Sequence, residues 1–259
     1  MAKAASSKKK AASKKPVKPP PKAPATKPKP TAPSQPLPPP PPPPPAQRLE
    51  ASAPRDIGRL LRYGEKFGAN KIDVQMLPLQ LAVPSGAVAL MDAAAPKSFR
   101  VFDRTTGAGA FRVMLSFVRA PDGAARLAAF AIHTGRPPIA RWTVAHELGK
   151  KPPKTPDDIA PLEIASGHAI LVDAKGGSPG AVAVHSAPPA TTGAATSGPA
   201  ATALLSPHEI LLPDGRRALA FPVGGEVTAY WGVDAADKPV CLVVDCDAIS
   251  AKDWRARAV

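Results

Sequence analysis

From about residue 74 onward, apolar residues come in short runs separated by Gly-, Pro- or Asp-containing breaks, the pattern of strands joined by tight turns. Pro84-Ser85-Gly86 separates Leu77 to Val83 from Ala87 to Met91. Asp122-Gly123 lies between Phe111 to Arg119 and Ala124 to Ile132, and Asp214-Gly215 between Glu209 to Leu212 and Arg216 to Phe221. Asp-Gly readily supplies the positive φ that a tight turn needs, so both stretches predict hairpins. Gly167 to Val172 predicts a further buried strand. The last pair, Gly224 to Asp234 and Pro239 to Asp245, places Tyr230 and Trp231 in one β-branched apolar run. So many short strands with so little helical periodicity predict a mainly β domain, an antiparallel sandwich or barrel with few short helices.

Two stretches depart from this. Ile57, Leu60, Leu61 and Phe67 recur at helical spacing, with Pro54 suited to a first turn and Gly68 to a C-cap. They predict a short docking helix in a linker over 49–73. Near the end, Ser250 is placed to cap a helix that starts at Ala251. Two breaks interrupt the strands: 149–161, rich in Lys, Pro and Asp, and 187–203, a flexible insert of small residues and Pro. No internal repeat is evident. The expected layout is therefore a tail over 1–48, the linker, and a single β-rich domain over 74–259.

Composition changes the picture only at the N-terminus. Residues 1–47 hold ten Lys, no acidic or aromatic residue and seventeen of the thirty-six Pro, so +10 of the formal +14 belongs to them. Without large apolar side chains, such a segment cannot offset a backbone entropy cost of about 1–2 kcal/mol per residue, and disorder is expected. Pro38 to Pro45 predicts a polyproline II spacer of roughly 25 Å at ~3.1 Å per residue, which is also a potential ligand for an aromatic-lined groove. Lys8, Lys9, Lys10, Lys14, Lys15, Lys18, Lys22, Lys27 and Lys29 make an arm that binds nucleic acid or another polyanion by counterion release. It lacks interleaved aromatics, so no sequence readout is expected. Its texture is similar to that of histone-like basic tails. Cys241 and Cys246 are five apart on one strand, which points them to opposite faces as reduced thiols. No apolar run reaches the ~20 residues of a membrane span, and no apolar segment follows the basic N-terminus as in a signal peptide. The expected location is the cytoplasm.

Catalytic patterns are thin. Gly176-Gly177-Ser178-Pro179-Gly180 matches the nucleophile-elbow spacing, but a strand-like run follows where a helix is required, so a turn is expected. The five His, at 133, 146, 168, 185 and 208, lack metal-ligand spacing, and neither a metal nor a cofactor is expected. Asp245-x-Asp247 reads as a solvated strand terminus. Gly107-Ala108-Gly109-Ala110 lacks the Lys and the helix of a phosphate loop. The one candidate for a small polar pocket gathers Asp92, Arg112, Tyr230, Trp231 and Asp234, because aromatics beside Gly and Asp often line ligand sites.

From Leu77 onward the chain resembles a bacterial family of uncharacterised function. The resemblance rests on Leu81 to Asp92, on Gly109-Ala110-Phe111-Arg112-Val113 against a G-x-Y-P-V strand, and on Val223 to Gly232 against a terminal G-D-G-x-Y-P-V-Y-W-G run. Here the acid between glycines is missing, with Glu226 adjacent, and Val227-Thr228-Ala229 replaces Tyr-Pro. The resemblance implies a domain without an established activity, and some such families sit near toxin and immunity genes. The expected function is a non-enzymatic binding module carried on a polyanion-associating arm. The alternatives are an immunity-type protein that binds a partner protein, or an enzyme using a pocket near Arg112 and Trp231.

Overall fold

The computed structural model of the protein describes residues 52–136, 138–184 and 207–255. The chain divides into two units, Met1–Pro45 and Ala46–Val259, and the fold is that of the second. The expected tail, its polyproline rod and the 187–203 insert lie outside the described residues.

Among the described residues, thirteen strands run in the order β1 (Lys66–Phe67), β2 (Asn70–Val83), β3 (Ala87–Asp92), β4 (Ala95–Thr105), β5 (Gly109–Arg119), β6 (Ala125–His133), β7 (Arg141–Val144), β8 (Leu162–Ile164), β9 (His168–Asp173), β10 (His208–Leu211), β11 (Arg217–Pro222), β12 (Gly225–Val233) and β13 (Pro239–Asp245). One short helix, α1 (Ala251–Arg255), follows them. The larger antiparallel sheet has the order β1-β2-β5-β6-β13-β12-β7, with β8 also pairing β12; the smaller has the order β10-β11-β9-β3-β4. The sheets pack face to face, so the mainly β expectation holds and a sandwich is the form it takes. Both Asp-Gly hairpins form, and Gly123 and Gly215 adopt the positive φ their turns require.

The main core lies between the sheets. Leu81, Leu90, Phe102, Leu115, Phe130, Leu171, Phe221, Trp231, Leu242 and Val244 are buried there, and Phe130 and Phe221 stack across it with ring centroids 3.8 Å apart. Alternation sends the intervening residues outward, yet they are also covered. On the larger sheet Tyr230, Cys241 and Val243 pack beneath Ile57, Leu60 and Trp254. On the smaller sheet Met91, Ile170 and Ala220 pack beneath Phe99, Val182 and Ile210. Burial of both faces explains why β13 reads as a continuous apolar run.

The two halves of the domain are related by an approximate twofold axis. β3 pairs antiparallel with β9 and Leu90 faces Leu171; β6 pairs antiparallel with β13 and Ala131 faces Val243. Each of these pairs joins equivalent positions, so the axis passes through both sheets. The repeat is legible once aligned: Val83-Pro-Ser-Gly-Ala-Val-Ala-Leu-Met-Asp-Ala matches Ile164-Ala-Ser-Gly-His-Ala-Ile-Leu-Val-Asp-Ala. The expectation of no internal repeat is thereby corrected. The two Asp are reciprocal latches. Asp92 accepts from the Ala165 and Ser166 amides at 2.7 and 3.2 Å. Asp173 accepts from the Ser85 amide at 2.9 Å and from the Ser85 hydroxyl. Pro84 has no N–H to match that of Ala165, and the Ser85 hydroxyl supplies the second donor in its place.

The expected docking helix is shorter than its spacing suggests. A 3-10 turn over Ile57–Leu61, capped by Asp56 accepting from the Gly58 amide, inserts Ile57 and Leu60 and then stops. Gly68 caps no helix; at φ +59° it belongs to the turn joining β1 to β2. Phe67, which looked like the helix's last apolar contact, is in β1. The C-terminal cap forms as expected, with the Ser250 hydroxyl accepting from the Asp253 amide at 3.1 Å.

Candidate functional site

The twofold axis shows where one half departs from the other. In the first half, β2 pairs with β5 along its length and its register shifts between Met76 and Gln80, around Leu77-Pro78-Leu79. In the second half the equivalent strand is cut in two: β7 pairs with β12 at Val233 to Tyr230, and β8 pairs with it at Val227 to Gly225. Residues 145–160 stand where the first half has that tripeptide, and Pro161 resumes the match at Gln80.

This insertion crosses from one sheet to the other. The Ala145 amide donates to the Ala229 carbonyl of the larger sheet at 2.9 Å. The Asp103 amide donates to the His146 carbonyl at 3.0 Å and the Leu148 amide to the Val101 carbonyl at 2.7 Å, which fastens the loop to the β4 edge of the smaller sheet. The returning limb is held by Arg100, whose guanidinium donates to the Ala160 and Pro161 carbonyls at 2.8 and 2.9 Å. Across the 3-10 turn at Pro156–Asp158, the Asp158 carboxylate accepts from the Thr155 amide and hydroxyl.

Beneath the loop is a cavity of about 400 Å³. Leu90, Phe102, Val144, Leu162, Val227 and Ala229 line its depth, and Lys150, Lys151 and Lys154 stand among its outer residues. Lys150 is paired with Glu147 at 2.7 Å. His146 lies at the wall with its Nδ1 3.6 Å from Asp103 Oδ2. Asp103 also accepts from Trp231 Nε1 at 3.2 Å and lies 3.7 Å from Arg104 Nε. Arg104 in turn reaches Asp237, which also binds Arg141. One carboxylate thus couples the core tryptophan to the loop over the pocket. A second, more open and more polar depression of about 530 Å³ adjoins it and includes Asp92, Lys97, Ser98 and Glu163; Arg100 belongs to the wall of both.

The five residues expected to share a pocket lie apart. Trp231 faces the core between the sheets and is fully buried, whereas Tyr230 faces the opposite side of the same sheet. Burial, with Asp245 nearby, pushes the Tyr230 phenol up to about 12. Asp234 closes the β12–β13 turn by accepting from the Ala236 and Lys238 amides. Arg112 is exposed on β5. Asp92 is a latch; burial pushes its pKa up, but hydrogen bonds from Ser166, Ala94 and Ala165 outweigh this and hold it below the ordinary carboxylate value. Only Asp92 lines either cavity. The residues that do converge were read as a break in the strand pattern. The available signal was the cluster Lys150-Lys151-Pro152-Pro153-Lys154 between two short apolar runs, Trp142 to Ala145 and Leu162 to Ile164.

Other sequence candidates resolve into structural roles. Ser178 sits in a glycine turn with its hydroxyl donating to the Pro96 carbonyl, and no helix follows it over the described residues 179–184. Asp245 is not a solvated terminus: it is buried, and Arg55 donates to it at 2.6 Å while stacking over Trp254 at 4.5 Å. Cys241 and Cys246 are free thiols buried on opposite faces of the larger sheet, and burial pushes both pKa values up, that of Cys241 to about 12. Among the described residues, no group of three or more His, Cys, Asp or Glu is placed to hold a metal ion, and no helix is long and apolar enough to cross a membrane. The tail lysines from Lys8 to Lys29 and His185 lie outside the described residues. No family model, no curated protein and no solved structure matches this chain, which leaves the pocket beneath residues 145–161 as the basis for assigning it a role.

Proposed function

We propose that this chain is a non-enzymatic binding module that takes a small ligand into the pocket beneath residues 145–161. The observation that carries the reading is the asymmetry. One half of a duplicated scaffold bridges this point with a three-residue bulge whose Leu77 and Leu79 pack on the core, while the other opens an apolar recess at the same place. A loop that creates a recess on an otherwise repeated framework is how binding sites are commonly grafted onto folds. The neutral dye N-phenylnaphthylamine is expected to bind the full chain saturably with a rise in fluorescence. Ala145→Trp, at the position equivalent to Leu77, should abolish that rise without lowering the melting temperature. Replacing 145–160 by Leu-Pro-Leu is a second variant with the same expectation. Equal dye binding by either folded variant sinks the reading.

The cationic arm supports a second part of the same proposal, association with nucleic acid or another polyanion, because its ten Lys are free of any acidic residue over 1–47. DNA affinity of the full chain is expected to fall by orders of magnitude from low to physiological salt and to be lost on removing 1–47. Negligible binding by both chains would refute it. A cytoplasmic location belongs with this proposal and is supported by the two unpaired buried thiols. A partner-protein role of the immunity type, or membership of the family that Val223 to Gly232 resembles, finds less support. Among the described residues, the exposed large apolar side chains, Tyr63, Met76, Leu148 and Leu211, lie on separate segments and form no evident docking patch.

A further inference from the structure

We infer that the ligand of this pocket is a small organic anion, an apolar ring-sized body carrying one oxyanion such as a carboxylate, with the body held inward and the charge at the mouth. The inference rests on the pocket reading above and deepens it. The depth of the cavity is lined by aliphatic side chains and the Phe102 ring, which reward removal of apolar surface from water at about 25 cal/mol per Å² and offer little to a polar group.

The charges at the outer end are unequal in availability. Arg100 gives one N–H of each terminal nitrogen to the Ala160 and Pro161 carbonyls, which turns its guanidinium toward the returning limb. Lys150 is paired with Glu147, and Asp158 is engaged by Thr155. Lys151 and Lys154 line the pocket and are exposed; Lys154 attracts the Asp158 carboxylate, which accepts from its amide at 3.3 Å, without closing an ion pair to it. Pro152 and Pro153 stand between them. Each proline fixes its own φ, and each disfavours helical backbone in the residue before it, so the segment favours the extended polyproline conformation. That conformation has three residues per turn, which puts positions three apart on one side of the chain. Lys151 and Lys154 have that spacing, and both line the outer end of the pocket.

Two lysines without an arginine fork or a cluster of backbone N–H donors suit a compact single charge better than a phosphate, which is usually gripped by several oriented donors. Inorganic phosphate alone would also leave the apolar depth unfilled. The ligand that satisfies both ends has an apolar body and one anionic group.

The test compares two dyes with closely similar ring systems on the full chain at constant ionic strength: anilinonaphthalene sulfonate, which carries one anionic group, and neutral N-phenylnaphthylamine. The sulfonate is expected to bind roughly tenfold more tightly, two exposed charges each contributing a small factor. The double variant Lys151→Glu, Lys154→Glu should lose that preference and leave the neutral dye unchanged, and inorganic phosphate should not displace either dye. Equal affinity for the two dyes, a charge variant that weakens both alike, or displacement by phosphate would overturn the anion inference while leaving the pocket reading standing. Sulfonate binding retained in Ala145→Trp would show the dye on the basic arm and overturn it as well. Saturable binding of neither dye would instead overturn the pocket reading itself.

Discussion

Trp231→Ala is expected to cost about 3–5 kcal/mol of unfolding free energy, the range for emptying a large aromatic site in a close-packed core. That is a large share of the roughly 5–15 kcal/mol of a typical domain. Trp231 is fully buried, meets Phe102 edge-on with centroids 6.1 Å apart, and donates to Asp103 at 3.2 Å. Trp231→Phe separates the effects: most of the packing volume remains while a buried carboxylate loses one donor, a loss of about 1–3 kcal/mol. Urea denaturation of the two variants should rank them alanine below phenylalanine below wild type. An alanine variant within about 1 kcal/mol of wild type would contradict the assignment of Trp231 as a core anchor. Because Asp103 also contacts His146 at the wall of the pocket, the alanine variant should loosen the loop as well as the core.

Arg55→Ala should have the next largest effect, and one that depends on pH. Asp245 is 3% exposed and Arg55 24%, so the pair is buried at one end only, and the loss at neutral pH is expected at about 2–3 kcal/mol, below the range for a fully buried pair. Burial raises the Asp245 pKa above the ordinary carboxylate value, Arg55 opposes the rise, and Asp247 adds to it. A group whose pKa is raised on folding contributes stability that is present below its unfolded pKa and lost as pH climbs through its folded pKa. Removing Arg55 pushes the folded value higher still, so the variant has most to regain by taking up a proton. The difference between wild type and Arg55→Ala is therefore expected to be greatest near neutrality and to shrink on acidification. Asp245→Asn in the Arg55→Ala background should recover much of the loss at neutral pH, because the uncompensated charge is gone. Tyr230 lies beside Asp245, and Trp254 lies under the Arg55 guanidinium. Equal losses at neutral and acidic pH would exclude the charge explanation and leave packing on Trp254 as the cause.

Legibility in the sequence followed the range of the interactions. The hairpins closed by Asp122-Gly123 and Asp214-Gly215, and the Ser250 cap, depend on neighbouring residues, and their positions could be read directly. β4 went unrecognised because it opens Ala95-Pro96-Lys97-Ser98 and has an exposed edge, so its apolar alternation is weak. β7 and β8 are short and owe their conformation to pairing with β12, which nothing in their own residues announces. The same holds for the repeat, whose matching Ser-Gly, Leu and Asp-Ala positions are few and whose second copy is interrupted by 145–160. Tyr230 and Trp231 were read as one site, although a strand's period of two already sends adjacent side chains to opposite faces. The pocket stayed hidden because its lining comes from β3, β4, β7, β8 and β12 at once, and only its lysine-proline rim is contiguous.

The twofold axis also bears on how such a chain arose. The halves join their sheets along two antiparallel seams, β3 with β9 and β6 with β13, and at each seam a strand faces its own counterpart. This is the isologous contact by which identical subunits pair. Half of this domain standing alone would carry two bare strand edges that its own duplicate fits, as the edges of a homodimer do. Joined in one polypeptide, the two copies are free to diverge. One spans this point with Leu77-Pro78-Leu79 while the other carries a long loop there, which a symmetric dimer encoded by a single gene would have to carry twice.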